Sequence, residues 1–156
     1  MQSTKEYLAF VWIIHISMFL GQLLFLLLSV YFIEPDRYRD YDLVFRISDG
    51  IVILVGVVFS YVIYSKFVAE AKPKRGIREK LMTYRKALIY KWAALEFVSV
   101  YSIIAYLMTG SALFIFATIF TILIFLINRP SVNIAINDLD LDDSERRILE
   151  TPDAAI

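Results

Sequence analysis

Residues 7–33 read YLAFVWIIHISMFLGQLLFLLLSVYFI, a run without Asp, Glu, Lys or Arg, interrupted only by His15, Ser17, Gln22 and Ser29. A helix rises about 1.5 Å per residue, so roughly 20 apolar residues cross a hydrocarbon core of about 30 Å. The run is far longer than the roughly 7–15-residue core of a cleaved signal peptide, and no small-residue cleavage pattern interrupts it. It reads as a retained first helix that also directs insertion. Three more continuous runs follow, at about Phe45–Val68, Ala87–Met108 and Ser111–Asn128. None alternates, and lipid leaves no place for open sheet edges, so strands are a poor alternative.

The expected fold is therefore all-α. A four-helix transmembrane bundle, joined up-down-up-down, occupies residues 1–130, and a short cytoplasmic tail occupies 131–156. Composition agrees: 59% of the 156 residues are hydrophobic, against about 45–50% in a typical soluble domain. Sixteen basic and sixteen acidic residues cancel, so no global charge draws the chain to nucleic acid. Cysteine is absent and His15 is the single histidine. Disulfides, thiolate metal sites, a cysteine nucleophile and an H-E-x-x-H zinc site are thereby excluded. No glycine-rich phosphate loop is present either. No catalytic, cofactor or metal site is predicted, and the chain is expected to be non-enzymatic.

The distribution of Lys and Arg orients the helices. Lys66, Lys72, Lys74, Arg75, Arg78, Lys80, Arg85, Lys86 and Lys91 cluster in and beside the second connection, which is assigned to the cytoplasm. The first connection mixes Arg37, Arg39 and Arg46 with Glu34, Asp36, Asp40 and Asp42 and is assigned to the outside. Both termini then fall inside, with Lys5 at one end and Arg129, Arg146 and Arg147 at the other. Thr109-Gly110-Ser111 reads as a tight hairpin, with Gly110 as a left-handed C-cap and Ser111 capping the next helix. Pro73 and Gly76 break the chain after the second span. Ile77, Leu81, Tyr84 and Leu88 then start an amphipathic cytoplasmic helix that continues into the third. Lys72, Lys74, Arg75, Arg78, Lys80, Arg85 and Lys86 are expected near anionic lipid headgroups. They serve there as an orienting anchor or, alternatively, as a specific lipid or protein site.

The acidic tail holds Asp138, Asp140, Asp142 and Asp143, but a calcium loop needs Gly at its sixth position and Glu at its twelfth. Counted from Asp138 those places hold Asp143 and Leu149. Leu139 and Leu141 read instead as a docking segment. Asp142 with Glu145 reads as a helix start, and Ile148 and Leu149 as packing on the cytoplasmic rim.

Ionisable groups are costly in hydrocarbon and call for a partner or a function. His15, Gln22 and Ser29 recur at seven-residue intervals on span one. Asp49, Gly56 and Ser60 share a face of span two, where Gly56-x-x-x-Ser60 permits close helix contact. Trp92, Glu96, Ser99 and Tyr106 run along span three. Counted from Tyr7 and Ala87, His15 lies about 12 Å and Glu96 about 13 Å deep. They are expected to bond to each other or to share a water, with Lys91 as a competitor. Such a pair either ties helices one and three in register or serves as a proton or ion relay. Asp49 is expected to cap span two or pair with Arg46.

The stretch from Leu81 to Leu141 carries Tyr84-Arg85, Ala94-Leu95-Glu96, Tyr106-Leu107 before Thr109-Gly110, Arg129-Pro130 and Leu139-x-Leu141, with Gly21-Gln22 upstream. In these elements it resembles a group of small four-helix bacterial inner-membrane proteins without assigned function. The resemblance covers about half the chain. It implies a bacterial inner-membrane location and no chemistry. The leading expectation is an accessory or assembly component acting with a membrane partner or as a homo-oligomer. The rival is a small transporter or channel subunit built on His15 and Glu96.

Overall fold

The computed structural model describes residues 3–35, 42–151 and 154. Its helices are α1 (Thr4–Tyr31), α2 (Asp42–Ala71), α3 (Ile77–Thr109), α4 (Ala112–Ile127), α5 (Val132–Asp138) and α6 (Asp143–Glu150). Asp36, Arg37, Arg39 and Asp40, on which the outward assignment of the first connection partly rests, lie outside the described residues.

Three helices, α1, α2 and α3, are long and apolar enough to cross a membrane. The fourth expected span, Ser111–Asn128, is α4 alone, and α5 lies beyond it. With 16 residues, α4 is only about 24 Å long, and α5 follows it bent by 76°. The break has a local cause. Asn128 donates its backbone N–H to Ile124 and Phe125 and its Nδ2 to Ile124 O, and Pro130 then brings no N–H to continue the ladder.

α3 is the hub. Ala87, Trp92, Leu95, Val98, Ile103 and Ala105 on it are fully buried, and α1, α2 and α4 all pack against it. Tyr7 donates to Leu81 O and Gln22 accepts from Ser99, so α1 runs parallel to α3. Tyr64 meets Tyr84 while Asp49 meets Ser102, so α2 runs antiparallel. The hairpin returns α4 antiparallel as well, and Trp92 Nε1 donates to Asn128 O at 2.9 Å. Gly110 takes the left-handed conformation at φ 68° and donates to Tyr106 O. Ser111, expected to cap α4, makes no side-chain cap; Thr109 Oγ1 accepts the Ser111 N–H instead.

The close contact expected at Gly56 is present between α2 and α3. A Cβ there would stand 2.2 Å from Val98 Cγ2, so only glycine lets the backbones approach this far. Leu54, Val58 and Val62 of α2 stay exposed. Outward apolar side chains cost nothing where the surroundings are lipid tails.

The largest core sits at one end of the molecule. It joins Tyr7, Val11, Leu81, Tyr84, Trp92 and Phe125 to Leu139 and Leu149 of the tail. Leu139 is fully buried, Leu141 packs beside it, and Asp142 with Glu145 forms a capping box that starts α6. Thr4 N–H donates to Ala154 O at 3.0 Å and Thr4 Oγ1 to Ile148 O at 3.1 Å. The N-terminal turn, the 72–76 connection and the tail thus meet at this end, called the basic end below.

Candidate functional site

At the basic end the acidic tail folds back over the lysines. Lys80 Nζ lies 2.6 Å from Glu145 Oε2, with both side chains 11% exposed. Lys72 Nζ lies 2.6 Å from Asp140 Oδ2 at the surface. Lys74 pairs within its own neighbourhood with Glu70 at 3.3 Å, and the Arg85 guanidinium stands 5.2 Å over the Phe10 ring. Arg75, Arg78 and Lys86 are exposed and have no ion pair among the described residues. The expectation that all seven basic groups face headgroups is corrected at Lys80, which Glu145 covers, and at Lys72, which Asp140 occupies. Opposite charges more than 60 residues apart came together because Leu139 and Leu149 carry the tail into the core. Asp142, at the start of α6, accepts from Ser144 Oγ at 2.6 Å and from Glu145 N–H at 2.8 Å. Those two bonds hold its carboxyl below the usual carboxylate range.

Beneath the tail lies a cluster that the sequence did not reveal. Tyr64 Oη donates to Asp138 Oδ2 and stands 3.1 Å from Tyr84 Oη. Lys91 is buried with its Nζ 4.3 Å from the Tyr61 ring centre and 4.2 Å from that of Tyr64. Desolvated cation–π contacts of this kind contribute up to about 2 kcal/mol. Lys91 therefore turns to α2 rather than competing for Glu96. A faint signal was present: Tyr61 and Tyr64 stand one turn apart on α2, and Tyr84 and Lys91 two turns apart on α3.

His15, Gln22 and Glu96 go to different places. His15 is buried, its ring stacked on Phe125 at 4.6 Å with planes 10° apart and beside Trp92 at 4.7 Å. Its Nδ1 has no hydrogen-bond partner among the described residues. The expected His15–Glu96 bond does not form, and the cause is register. Tyr7 bonds to Leu81 rather than lying level with Ala87, and the pairings of His15 with Trp92 and Gln22 with Ser99 place α3 about 5 Å from the expected level. Trp92 therefore lies level with His15, and Glu96 comes beside Gly21. Gln22 Oε1 accepts from Ser99 Oγ at 2.7 Å, which ties α1 to α3.

Asp49 also departs from expectation. It is buried and accepts from Ser102 Oγ at 2.7 Å, whereas Arg46 pairs with Asp42 at 2.7 Å. Tyr101 Oη donates to Ser48 Oγ at 2.8 Å between the adjacent residues of the two helices. Position along the helix explains the swap: Asp42, in the first turn of α2, is one turn from Arg46, whereas Asp49 lies two turns beyond Asp42, at the level of Ser102 on α3. Three pairs of polar groups thus join the long helices separately, His15 Nδ1 and Ser29 Oγ stay without a partner among the described residues, and the densest polar cluster sits at the basic end. Comparison with family models, curated proteins and solved structures finds no match to the chain.

Proposed function

We propose that the chain is a bacterial inner-membrane protein that crosses the bilayer four times, with both termini and the 72–76 connection in the cytoplasm. In this reading α4 and the start of α5 make the fourth, bent crossing. The protein performs no chemistry of its own and acts as an accessory or assembly component that holds a membrane partner or a second copy. The observation that carries this is the use of the intramembrane polar groups. Gln22–Ser99, Asp49–Ser102 and Ser48–Tyr101 each join two helices, while the wide apolar faces of α2 remain for contact.

The absence of cysteine makes topology testable one site at a time. Glu34→Cys is expected to react with a membrane-impermeant maleimide in spheroplasts, and Lys74→Cys only after lysis. The reverse pattern would overturn the orientation. Affinity purification from native membranes in mild detergent is expected to bring down a stoichiometric partner or a homo-oligomer. Recovery of the monomer alone would overturn the accessory role.

A transporter subunit is the second reading. It is favoured by the buried, unpartnered His15 Nδ1 and by a Glu96 carboxylate without a hydrogen bond among the described residues. Proton flux into proteoliposomes that is lost in Glu96→Gln would establish it; no flux from the parent protein would end it.

A further inference from the structure

One face of α1 lines two successive cavities that meet at Trp12. The first, about 740 Å³, lies at the basic end between Thr4, Lys5, Leu8 and the tail residues Leu149 and Glu150. The second, about 440 Å³, continues along α1 past His15, Ile16, Phe19 and Leu20 and is closed on its other side by Leu126 and Arg129. Both volumes fall in or near the range of about 300–1,000 Å³ typical of small-molecule sites. From Thr4 to Leu20 the trough runs about 24 Å along the helix. Both stretches are mainly apolar, with Thr4, Lys5 and Glu150 in the first and His15 and Arg129 in the second.

We propose that this trough holds one acidic phospholipid, with its phosphate against Arg129 and Lys5 beside Trp12 and an acyl chain along Ile16, Phe19 and Leu20. A mainly apolar trough with one cationic side chain in each stretch suits an amphiphile with an anionic head. The charge is complementary to an anion. Neither Lys5 nor Arg129 has an ion-pair partner among the described residues, while Glu150, the acidic group of the lining, is engaged by Arg146 at 2.8 Å. Trp12, part-exposed between the two cavities, is the residue type that settles at the headgroup boundary. A second copy is the weaker occupant, because a two-fold contact through this face would gather both copies' Lys5 and Arg129 in one interface. The proposal rests on the membrane reading above.

The test uses the full chain purified in detergent and native mass spectrometry with added phosphatidylglycerol or phosphatidylcholine. The parent is expected to retain one phosphatidylglycerol in preference to phosphatidylcholine. The double variant Lys5→Gln/Arg129→Gln should lose that preference by about fivefold per charge removed. Ile16→Trp, which fills the apolar half, should weaken both lipids. Lys66→Gln, an exposed basic residue of α2 outside the trough, should change neither. Equal retention of the two lipids by the parent, or an undiminished preference in the double variant, would overturn the site. So would a dimer that buries α1 and excludes lipid. A chain that stays dispersed without detergent would instead overturn the membrane reading, so the two failures are distinguishable.

Discussion

α2 and α3 have similar lengths, 30 and 33 residues, and opposite surroundings. α2 is the more apolar and is mostly exposed; α3 is the less apolar and is the most buried of the long helices. A water-soluble fold would reverse that order. With lipid outside, the driving force between helices is close packing and polar pairing rather than removal of apolar surface from water. The helix carrying Lys91, Glu96, Ser99 and Ser102 therefore takes the centre, and the helix that is apolar nearly all round takes the edge.

The largest effect that would break this comparison is expected from truncation at the hub. Trp92→Ala removes a fully buried ring and its bond to Asn128 O and should cost about 3–5 kcal/mol. Phe59→Ala on α2, 53% exposed, should stay within about 0.5 kcal/mol. Unfolding by SDS titration in mixed micelles measures both, and equal losses would show that α2 is as enclosed as α3.

The next effect concerns charge at the basic end. Lys80→Met leaves the buried Glu145 without its cation and should cost about 1.5–3 kcal/mol, whereas Lys72→Met breaks an exposed pair worth no more than about 1 kcal/mol. Limited proteolysis of the tail should quicken for the first and hardly change for the second.

Glycine gives a finer probe of the contact between the two helices. Gly56→Val drives a side chain into Val98 and should cost about 1–3 kcal/mol. Gly50→Ala meets nothing within 4 Å and should be neutral or stabilise by up to about 1 kcal/mol.

The smallest effect is a pH dependence of the tail. The carboxyl of Asp142 is held below its unfolded value near 3.9. Its contribution is therefore fully present above that value and is lost as pH falls through the lower, folded one. Amide exchange in α6 should be steady from neutral pH to about 5 once corrected for intrinsic rates, and should rise below about pH 4. A rise near pH 6 would assign the dependence to another group.

Apolar run length located the helices, and the glycine at 110 and the Asp142–Glu145 spacing located a turn and a helix start, because those signals are local. Leu139 and Leu149 were legible as docking residues because a polar tail has no other use for them. The lateral arrangement was not legible. Depth counting fixed the starting points of α1 and α3 at Tyr7 and Ala87, but α3 extends below the membrane run, and the bond from Tyr7 to Leu81 sets the register. An error of about one turn separated His15 from Glu96. Lys80 and Lys91 were misread for a related reason: counting basic residues says which side a connection faces and nothing about which carboxylate or ring comes to meet them.

The bonds from Thr4 to Ile148 and Ala154 bear on biogenesis. A polypeptide is made from its N-terminal side, so the opening turn of α1 stays without these acceptors until residues 148–154 emerge. Closure of this end is a late event, and a chain halted early would present the Leu81 and Tyr84 surface bare to the protease and chaperone machinery that patrols nascent chains.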